Sequence, residues 1–266
     1  MNTPIDLQYA HILKTGTLKK TAGEYSLVLL AASHIDSILA LQEVVFATLS
    51  DQSQAFLLRK DKDFFEQHFA RDSLVLGIIH DGQLVAQSVV VHPTTAHPKT
   101  GMVDMALDVP VENITVIQGV IVHPDYQGNR LMTALVDTWL ELAEKQGRTH
   151  AIAEVAVDNY YSWSIFLKEG MEIDSIGEDP ADGTQVYNFH AQVSPLLEKR
   201  LKPAFNKASA KNSVPSQSSD LEQQKDLLSR GYKGVSFDAA SNVIAFKPPE
   251  QGTKPLAKPR TAKRLP

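Results

Sequence analysis

The stretch from Val122 to Thr133, which reads VHPDYQGNRLMT, has the residue types of a phosphate-binding loop. It joins the end of a predicted strand to the start of a predicted helix, so several backbone N–H groups and a helix N-terminus would point at one place. A pyrophosphate fits such a place because it is negatively charged and accepts many hydrogen bonds. The junction therefore predicts a site for a phosphorylated ligand.

Regular elements are predicted on both sides of this loop. Residues 114–122 (ITVIQGVIV) are apolar and rich in β-branched types, as in a strand that is buried on both faces. The following segment carries Leu131, Leu135, Trp139 and Leu142 on one helical stripe, with charged residues turned away from it. The loop is thus expected between a central strand and an amphipathic helix.

A second block with residues suited to chemistry follows. Residues 151–157 (AIAEVAV) predict another buried strand, on which Glu154 is the only charged residue. Asp158 and Asn159 then offer an N-cap for a short helix that ends near Gly170. A carboxylate in this setting is a candidate general base, and the alternative is a strand glutamate that simply meets solvent or an arginine.

Val120 to Met132 resembles the acyl-coenzyme A binding motif of the GNAT family of N-acetyltransferases. In that motif a hydrophobic strand, a Pro-containing turn and a Gln/Arg-x-x-Gly-x-Gly/Ala loop precede a helix. Gln127 fills the first loop position, whereas Arg130 and Met132 stand where the family usually has Gly and Gly or Ala. Side chains there could crowd a phosphate, but Arg130 could also donate to it. We interpret the motif as modified rather than broken.

The segment from Asn159 to Met171 resembles the second motif of the same family. Its positions are filled, in order, by Asn159, Ser162, Phe166, Lys168, Gly170 and Met171. Family members often carry a Tyr at the place of Phe166, where its hydroxyl protonates the departing thiolate. Phe cannot do this, so Tyr160, Tyr161 or water would have to act instead.

The resemblance implies a fold and an activity. The expected fold class is α/β (α+β), the GNAT acyl-CoA N-acyltransferase fold, with a mixed, mostly antiparallel sheet, splayed central parallel strands and flanking helices. The expected activity is transfer of an acetyl group from acetyl-CoA, as cosubstrate and without a metal, to a primary amine by direct attack. The alternative is a non-catalytic acyl-CoA-binding or regulatory module with the same fold.

The resemblance also implies the residues of the site. Glu154 is expected to act as the base, and the backbone N–H of Val122 is expected to hold the developing oxyanion. The cosubstrate is expected to contact residues from both motifs, namely Val120, Ile121, Val122, Gln127, Gly128, Asn129, Arg130, Leu131, Met132 and Thr133 from the first and Asn159, Ser162 and Phe166 from the second.

Composition and charge exclude several other classes of protein. With 266 residues, 43% of them hydrophobic and 21% charged, the chain is an ordinary globular protein, and its net charge of −5 argues against nucleic acid as a partner. No apolar run is long enough to span a membrane, and the absence of cysteine excludes disulfides and a thiolate nucleophile. We expect a cytoplasmic protein whose partner is a small-molecule or peptide amine. Two alternatives stay open, namely export by a secretion route that recognises other targeting signals, and assembly of the protein into a homodimer.

The predicted elements divide the chain into five parts. These are an N-terminal extension (1–22), the acetyltransferase domain (23–200), a linker (203–218), a small helix–hairpin extension docked on that domain (219–247) and a basic Pro-rich tail (248–266). Within the domain we predict a strand at 25–31, helices at 35–49 and 64–69, a hairpin of strands 74–80 and 84–91, and strands at 172–176 and 185–190.

The segment 92–113 is long for a connection between two strands, and it carries Asp104, Asp108 and Glu112. We hypothesise that it shapes a pocket for a cationic amine, and a solvated insertion is the alternative. The histidines at positions 92, 97 and 123 lack the regularly spaced carboxylate or thiolate partners of a metal site, so we interpret them as solvated loop residues. Trp139 and Trp163 are expected in the core.

Overall fold

The fold is given by a computed structural model, which describes residues 5, 10–50, 54, 57–71, 73–98, 107–179, 183–201 and 212–249. Within these ranges the strands are β1 (His11–Thr17), β2 (Glu24–Leu29), β3 (Ser73–His80), β4 (Gln83–Val91), β5 (Ile114–Val122), β6 (His150–Ala156), β7 (Glu172–Glu178), β8 (Gln185–Gln192), β9 (Val214–Gln217), β10 (Lys233–Asp238) and β11 (Val243–Lys247). The helices are α1 (Ile35–Thr48), α2 (Lys62–Phe69), α3 (Leu131–Lys145), α4 (Tyr160–Lys168), α5 (Val193–Arg200) and α6 (Leu221–Ser229).

The chain divides into two compact units. The first consists of residues 1–101, 111–153 and 192–197, and the second of residues 102–110, 154–191 and 198–266. The boundary runs through β6, β8 and α5, so each of these elements contributes residues to both units.

The first unit is built on a sheet with the strand order β1-β2-β3-β4-β5-β6. Neighbouring strands are antiparallel except for β5 and β6, which run parallel and pair from Ile114 opposite His150 to Ile117 opposite Ala153. Helix α1 packs on β4, α2 on β3 and α3 on β5. The predicted mixed, mostly antiparallel sheet with parallel central strands is confirmed.

The burial pattern of β5 and α3 agrees with the sequence pattern. Strand β5 has the predicted bounds, and its first half is buried throughout. On α3, Leu131, Leu135 and Trp139 are buried as predicted, whereas Leu142 is only partly so. The indole N–H of Trp139 donates to Thr115 Oγ1 at 2.8 Å, which satisfies both polar groups in the core. The strand before the loop and the helix after it are therefore held together by a buried hydrogen bond.

Strands β3 and β4 form the predicted hairpin. The connection is Asp81-Gly82, and both residues lie in the left-handed region, with φ of 48° and 74°. A two-residue turn of this kind matches the twist of the strands that it joins, and Asp and Gly tolerate its conformation.

The predicted N-terminal extension contains a strand that the sequence pattern did not indicate. Strand β1 pairs antiparallel with β2, from His11 opposite Leu29 to Thr17 opposite Glu24. It lies at the edge of the sheet, and its residues are mostly exposed or half-exposed. An edge strand buries little apolar surface, so its sequence lacks the alternation by which strands are recognised.

The second unit contains a sheet with the strand order β8-β7-β10-β11-β9. Strands β7 and β8 are antiparallel, and β10 joins the other edge of β7 with Gly234 opposite Ile173. A side chain at Gly234 would begin 3.0 Å from the Ile173 side chain, so the close approach of the two strands favours glycine there. The strands predicted for the C-terminal extension are confirmed, and they continue this sheet.

Two details of the extension differ from the sequence prediction. Residues 214–217, assigned to the linker, form β9, which pairs with β11; Pro215 is tolerated because β9 is an edge strand. Ser219 and Glu222 have the spacing of a capping box, which predicts Ser219 as the N-cap of α6, but the N-cap is Asp220, which accepts the Gln223 N–H at 3.0 Å. Residues 203–211 of the linker and residues 250–266 of the tail lie outside the described residues.

A buried hydrogen bond joins β8 to α6 within the second unit. The Tyr187 hydroxyl donates to Gln224 Oε1 at 2.7 Å, and both residues are fully buried. The Gln224 amide nitrogen in turn donates to the backbone oxygens of Gln217 and Ser218. Burial raises the pKa of Tyr187 to about 12, so its hydroxyl keeps its proton at neutral pH.

We expect the substitution Tyr187→Phe to lower the free energy of unfolding by about 1–2 kcal/mol, because it leaves a buried amide oxygen without a donor. The measurement is urea unfolding of the full chain. Tyr161→Phe is the matched control, since Tyr161 is 82% exposed and should tolerate the change. Equal stability of the two variants would contradict the assigned hydrogen bond.

Candidate functional site

Strand β5 contains a β-bulge directly before its last residues. Val89 of β4 lies opposite Gln118, and Gln87 lies opposite Ile121, so Gly119 and Val120 share the place opposite one β4 residue. Gly119 has a φ of 59°, which favours glycine, and a Cβ there would meet nothing within 4 Å. The backbone conformation therefore favours glycine here, and the space beside it is open.

The bulge determines which amide of β5 is available to a ligand. The His123 N–H donates to Val85 O of β4 at 2.8 Å, and since N–H groups alternate along a strand, that of Val122 points to the opposite edge. On that edge the described pairing with β6 ends at Ile117. The second half of β5 thus presents backbone groups, including the predicted Val122 N–H, that the sheet does not use.

The predicted phosphate-binding loop connects this edge to α3. A short 3-10 turn at Pro124–Tyr126 leads to Gln127 and Gly128, and Gly128 has a φ of 83°. The first backbone bond of α3 runs from the Ala134 N–H to Arg130 O at 3.1 Å. In the described part of the chain, no backbone oxygen accepts from the N–H groups of residues 128–132. These donors lie directly before the N-terminus of α3 and in its first turn, where an anion binds well.

Arg130 is the N-cap of α3 and adopts a left-handed conformation, with φ 60° and ψ 28°. This explains physically why the resembled motif has Gly at this place: glycine adopts the conformation without strain, whereas a side chain costs about 1 kcal/mol. The Arg130 side chain is exposed, and Met132 in the first turn of α3 is half-buried. Arg130 thus combines an unfavourable backbone conformation with a cation beside the free amides.

Asn129 has a structural function that the sequence analysis did not foresee. It is 2% exposed, and its Oδ1 accepts the backbone N–H groups of Lys20 and Thr21 at 2.6 and 3.1 Å. Its Nδ2 donates to Tyr126 O at 3.0 Å. The side chain therefore ties the loop to the β1–β2 turn, and only its backbone N–H is left for a ligand.

The predicted site residues Glu154, Asn159, Ser162 and Phe166 lie in the second unit. Glu154 is half-buried on β6, with its Oε2 atom fully buried. Asn159 is the predicted N-cap of α4 and accepts the Ser162 N–H at 3.3 Å, which confirms its capping role. Phe166 is 2% exposed, and its ring centroid lies 5.4 Å from that of Phe189. Its ring is thus part of the core, beneath the exposed face of α4.

The expectation for the two tryptophans is confirmed, whereas the expectation for His92 is not. Trp139 and Trp163 are core residues as predicted, each with 2% exposure or less. The interpretation of His92 as a solvated loop residue is wrong, because it is 7% exposed. The described ranges contain no group of three or more potential metal ligands, and none of their helices is long and apolar enough to cross a membrane.

The hypothesis of a cationic-amine pocket in the segment 92–113 stays a prediction. Asp104 lies outside the described residues, and Asp108 and Glu112 are exposed. A narrow cavity of about 10 Å³ lies instead within the first unit, next to the bulge. It is lined by Gln42, Leu57, Leu58, Lys60, Phe64, Phe65, Gln87, Val89, Gly119 and Ile121. This volume holds about one water molecule.

The bulged central strand, the end of its parallel pairing and the amide-rich loop before a helix define the acyl-CoA N-acyltransferase fold. The sequence model of the Acetyltransferase (GNAT) family matches residues 41–171, so these residues belong to that family, and the resemblance predicted from the two motifs is confirmed.

Solved structures agree at the level of the fold. The GNAT domain of S. lividans PAT is 14% identical, with a TM-score of 0.51 over 70% of this chain and 98% of that one. An uncharacterized protein from Bacillus halodurans is 12% identical, with a TM-score of 0.52 over 80% of this chain and 97% of that one. No curated protein matches the sequence.

We expect Arg130→Gly to raise the free energy of unfolding by about 1 kcal/mol, because glycine relieves the left-handed strain. Urea unfolding measures this effect. Arg130→Ala removes the same charge but keeps a Cβ, so it should not stabilise the protein. A stabilisation shared by both variants would instead point to the charge as its cause.

Proposed function

We propose that this protein is an N-acetyltransferase that transfers the acetyl group of acetyl-CoA directly to a primary amine. The observation that carries the proposal is the bulge at Gly119, which leaves the outer edge of β5 with an available Val122 N–H next to an amide-rich loop. A thioester carrier with a diphosphate needs both features, a donor for the developing oxyanion and a group of amides for the diphosphate.

Backbone groups supply most of the proposed binding site. The N–H groups from Gly128 to Met132 bind the diphosphate, with Arg130 as an additional charged donor. Backbone groups of Val120, Ile121 and Val122 pair with the pantetheine arm as an added strand would. Asn159 and Ser162 at the start of α4 contact the carrier from the second motif, and the buried Phe166 supports that helix from the core.

In the proposed reaction the amine lone pair attacks the carbonyl carbon of the thioester. A C–N bond forms, the C–S bond breaks, and the electrons of that bond leave with the sulfur as thiolate. The proton lost by the amine passes to Glu154 or water, and the thiolate takes a proton from solvent. No covalent enzyme intermediate is needed, because the two substrates react with each other.

The magnitudes show what the protein must contribute. Binding both reactants in one cleft could supply roughly 7–11 kcal/mol of the barrier. An oxyanion donor such as the Val122 N–H contributes about 3 kcal/mol. An ordinary alkylamine with a pKa of about 10.4 is mostly protonated at pH 7, and its deprotonation costs about 4.6 kcal/mol. A base is therefore useful, and we assign this role to Glu154.

A second candidate function is a non-catalytic acyl-CoA-binding module. The buried Phe166 favours it, because it supplies no hydroxyl to protonate the leaving group. A thiolate with a pKa of about 8.5 leaves without strong assistance, so the missing hydroxyl weakens the enzyme proposal only slightly. The acceptor amine and the cytoplasmic location stay predictions.

The test is thiol release from acetyl-CoA in the presence of a library of primary amines. We expect release with at least one amine, and we expect Glu154→Gln to lower kcat by about a hundredfold without changing the affinity for acetyl-CoA. Glu144→Gln is the control, because Glu144 is exposed on α3. Thermal stabilisation by acetyl-CoA without any thiol release would support the binding module, and no stabilisation would contradict both functions.

A further inference from the structure

A buried histidine of α2 contacts β5 directly before the bulge. His68 is 8% exposed, and its Nδ1 lies 2.7 Å from Phe64 O, one turn earlier in the same helix. Its Nε2 lies 3.0 Å from the side-chain nitrogen of Gln118, which precedes Gly119. Each of the two ring nitrogens thus has one hydrogen-bond partner.

These two contacts determine the tautomer of His68. A carbonyl oxygen can only accept, so Nδ1 carries the proton and donates to Phe64 O. Burial, with the nearby cations Arg71 and Lys60, lowers the pKa of His68 below its usual value, and the ring is neutral at pH 7. A neutral ring has one N–H, so Nε2 must accept from the Gln118 amide nitrogen.

The orientation of the Gln118 carboxamide follows from this tautomer. Its nitrogen is held by His68, and its Oε1 has no hydrogen-bond partner among the described residues. Gln118 is half-exposed, and its partner on β4 is Val89. Gln87 lies two residues from Val89 along β4, and its side chain is therefore on the same face of the sheet as that of Gln118. The bulge is therefore flanked by two carboxamides on one face.

Gln87 carries a second amide oxygen on this face, next to the bulge. Its Nε2 donates to Gly119 O at 2.8 Å, whereas its Oε1 is buried and has no partner in the part of the chain that the structure describes. The residue is 3% exposed and lines the narrow cavity next to Gly119. A buried unpaired acceptor is unfavourable, so a donor from a ligand or water is expected there.

Building on the proposed function, we infer that Gln118 and Gln87 accept the two N–H groups of the attacking amine, and that His68 is the positioning residue that orients Gln118. A neutral primary amine has two N–H groups and one lone pair, so filling both oxygens leaves the lone pair for the thioester carbon. A secondary amine has one N–H and leaves one oxygen unpaired. The pair of glutamines therefore selects primary amines.

The acceptor is also selected by charge. Among the described residues that line the cavity there is no carboxylate, and Lys60 is the one charged residue. The Lys60 ammonium lies 4.9 Å from the Phe64 ring centroid. A second positive charge close to the reacting amine is disfavoured in this setting, so the acceptor reacts as a neutral amine with a neutral or anionic substituent.

The test compares Gln118→Leu with Gln118→Glu, using the amine that gives thiol release with the wild-type protein. Gln118→Leu should lower kcat/KM for the amine about tenfold, the effect of one lost hydrogen bond, with acetyl-CoA affinity unchanged. Gln118→Glu keeps an acceptor oxygen and should retain more activity than Gln118→Leu. The N-methylated form of the amine should react more slowly than the primary amine with the wild type.

The pH profile tests the positioning residue separately. Below the lowered pKa of His68 the ring gains a proton on Nε2, which then competes for the Gln118 oxygen, so wild-type activity should show an additional decrease at acidic pH. His68→Phe should be less active at neutral pH and lack this decrease. The control is His80→Phe, because His80 is also buried with its Nδ1 2.8 Å from a backbone oxygen, that of Glu24.

The outcomes separate this inference from the proposed function. If the wild type releases thiol and Gln118→Leu retains its full kcat/KM, the inference is wrong and the proposed function stands. The same conclusion follows if His68→Phe keeps the wild-type pH profile. If the wild type releases no thiol with any amine, the proposed function fails and the inference fails with it.

Discussion

The extra residue in β5 is the constraint on which the rest of the site depends. Val89 of β4 lies opposite Gln118. If β5 continued from there without the extra residue, Val122 instead of His123 would lie opposite Val85 of β4. The Val122 N–H would then be used within the sheet. The left-handed Gly119 makes the insertion feasible, and the side chain of Gln87 holds its carbonyl oxygen. One glycine thus converts an interior strand into one with an available edge.

The loop that follows depends on a separate set of contacts. Asn129 fixes it to the β1–β2 turn, and the left-handed Arg130 turns the chain into α3; within the described residues, no backbone oxygen accepts from the amides of residues 128–132. Because Asn129 uses its whole side chain for this purpose, the loop offers a ligand mainly backbone groups. Rigid amides of this kind need little reorganisation when an anion binds.

The sequence predicted the elements whose signals are local. Strand β5, helix α3 and the Asp81-Gly82 hairpin follow from periodicity and turn chemistry over fewer than twenty residues. It did not predict β1, nor the contact of Asn129 with Lys20, which is 109 residues away in sequence. The pairing of His68 with Gln118 is also long-range, and a lone histidine on a helix carries no signal of its partner. These features depend on which surfaces the fold brings together.

The C-terminal strands have a consequence for the integrity of the second unit. Strand β7 pairs with β8 on one side and with β10 on the other, where the chain returns after the segment 202–211. A protein shortened after Arg200 would expose the backbone donors and acceptors of that side of β7. Uncovered edges of this type recruit strands from other molecules, so self-association would be the characteristic failure of such a truncation, even though the site-forming strand and loop are retained.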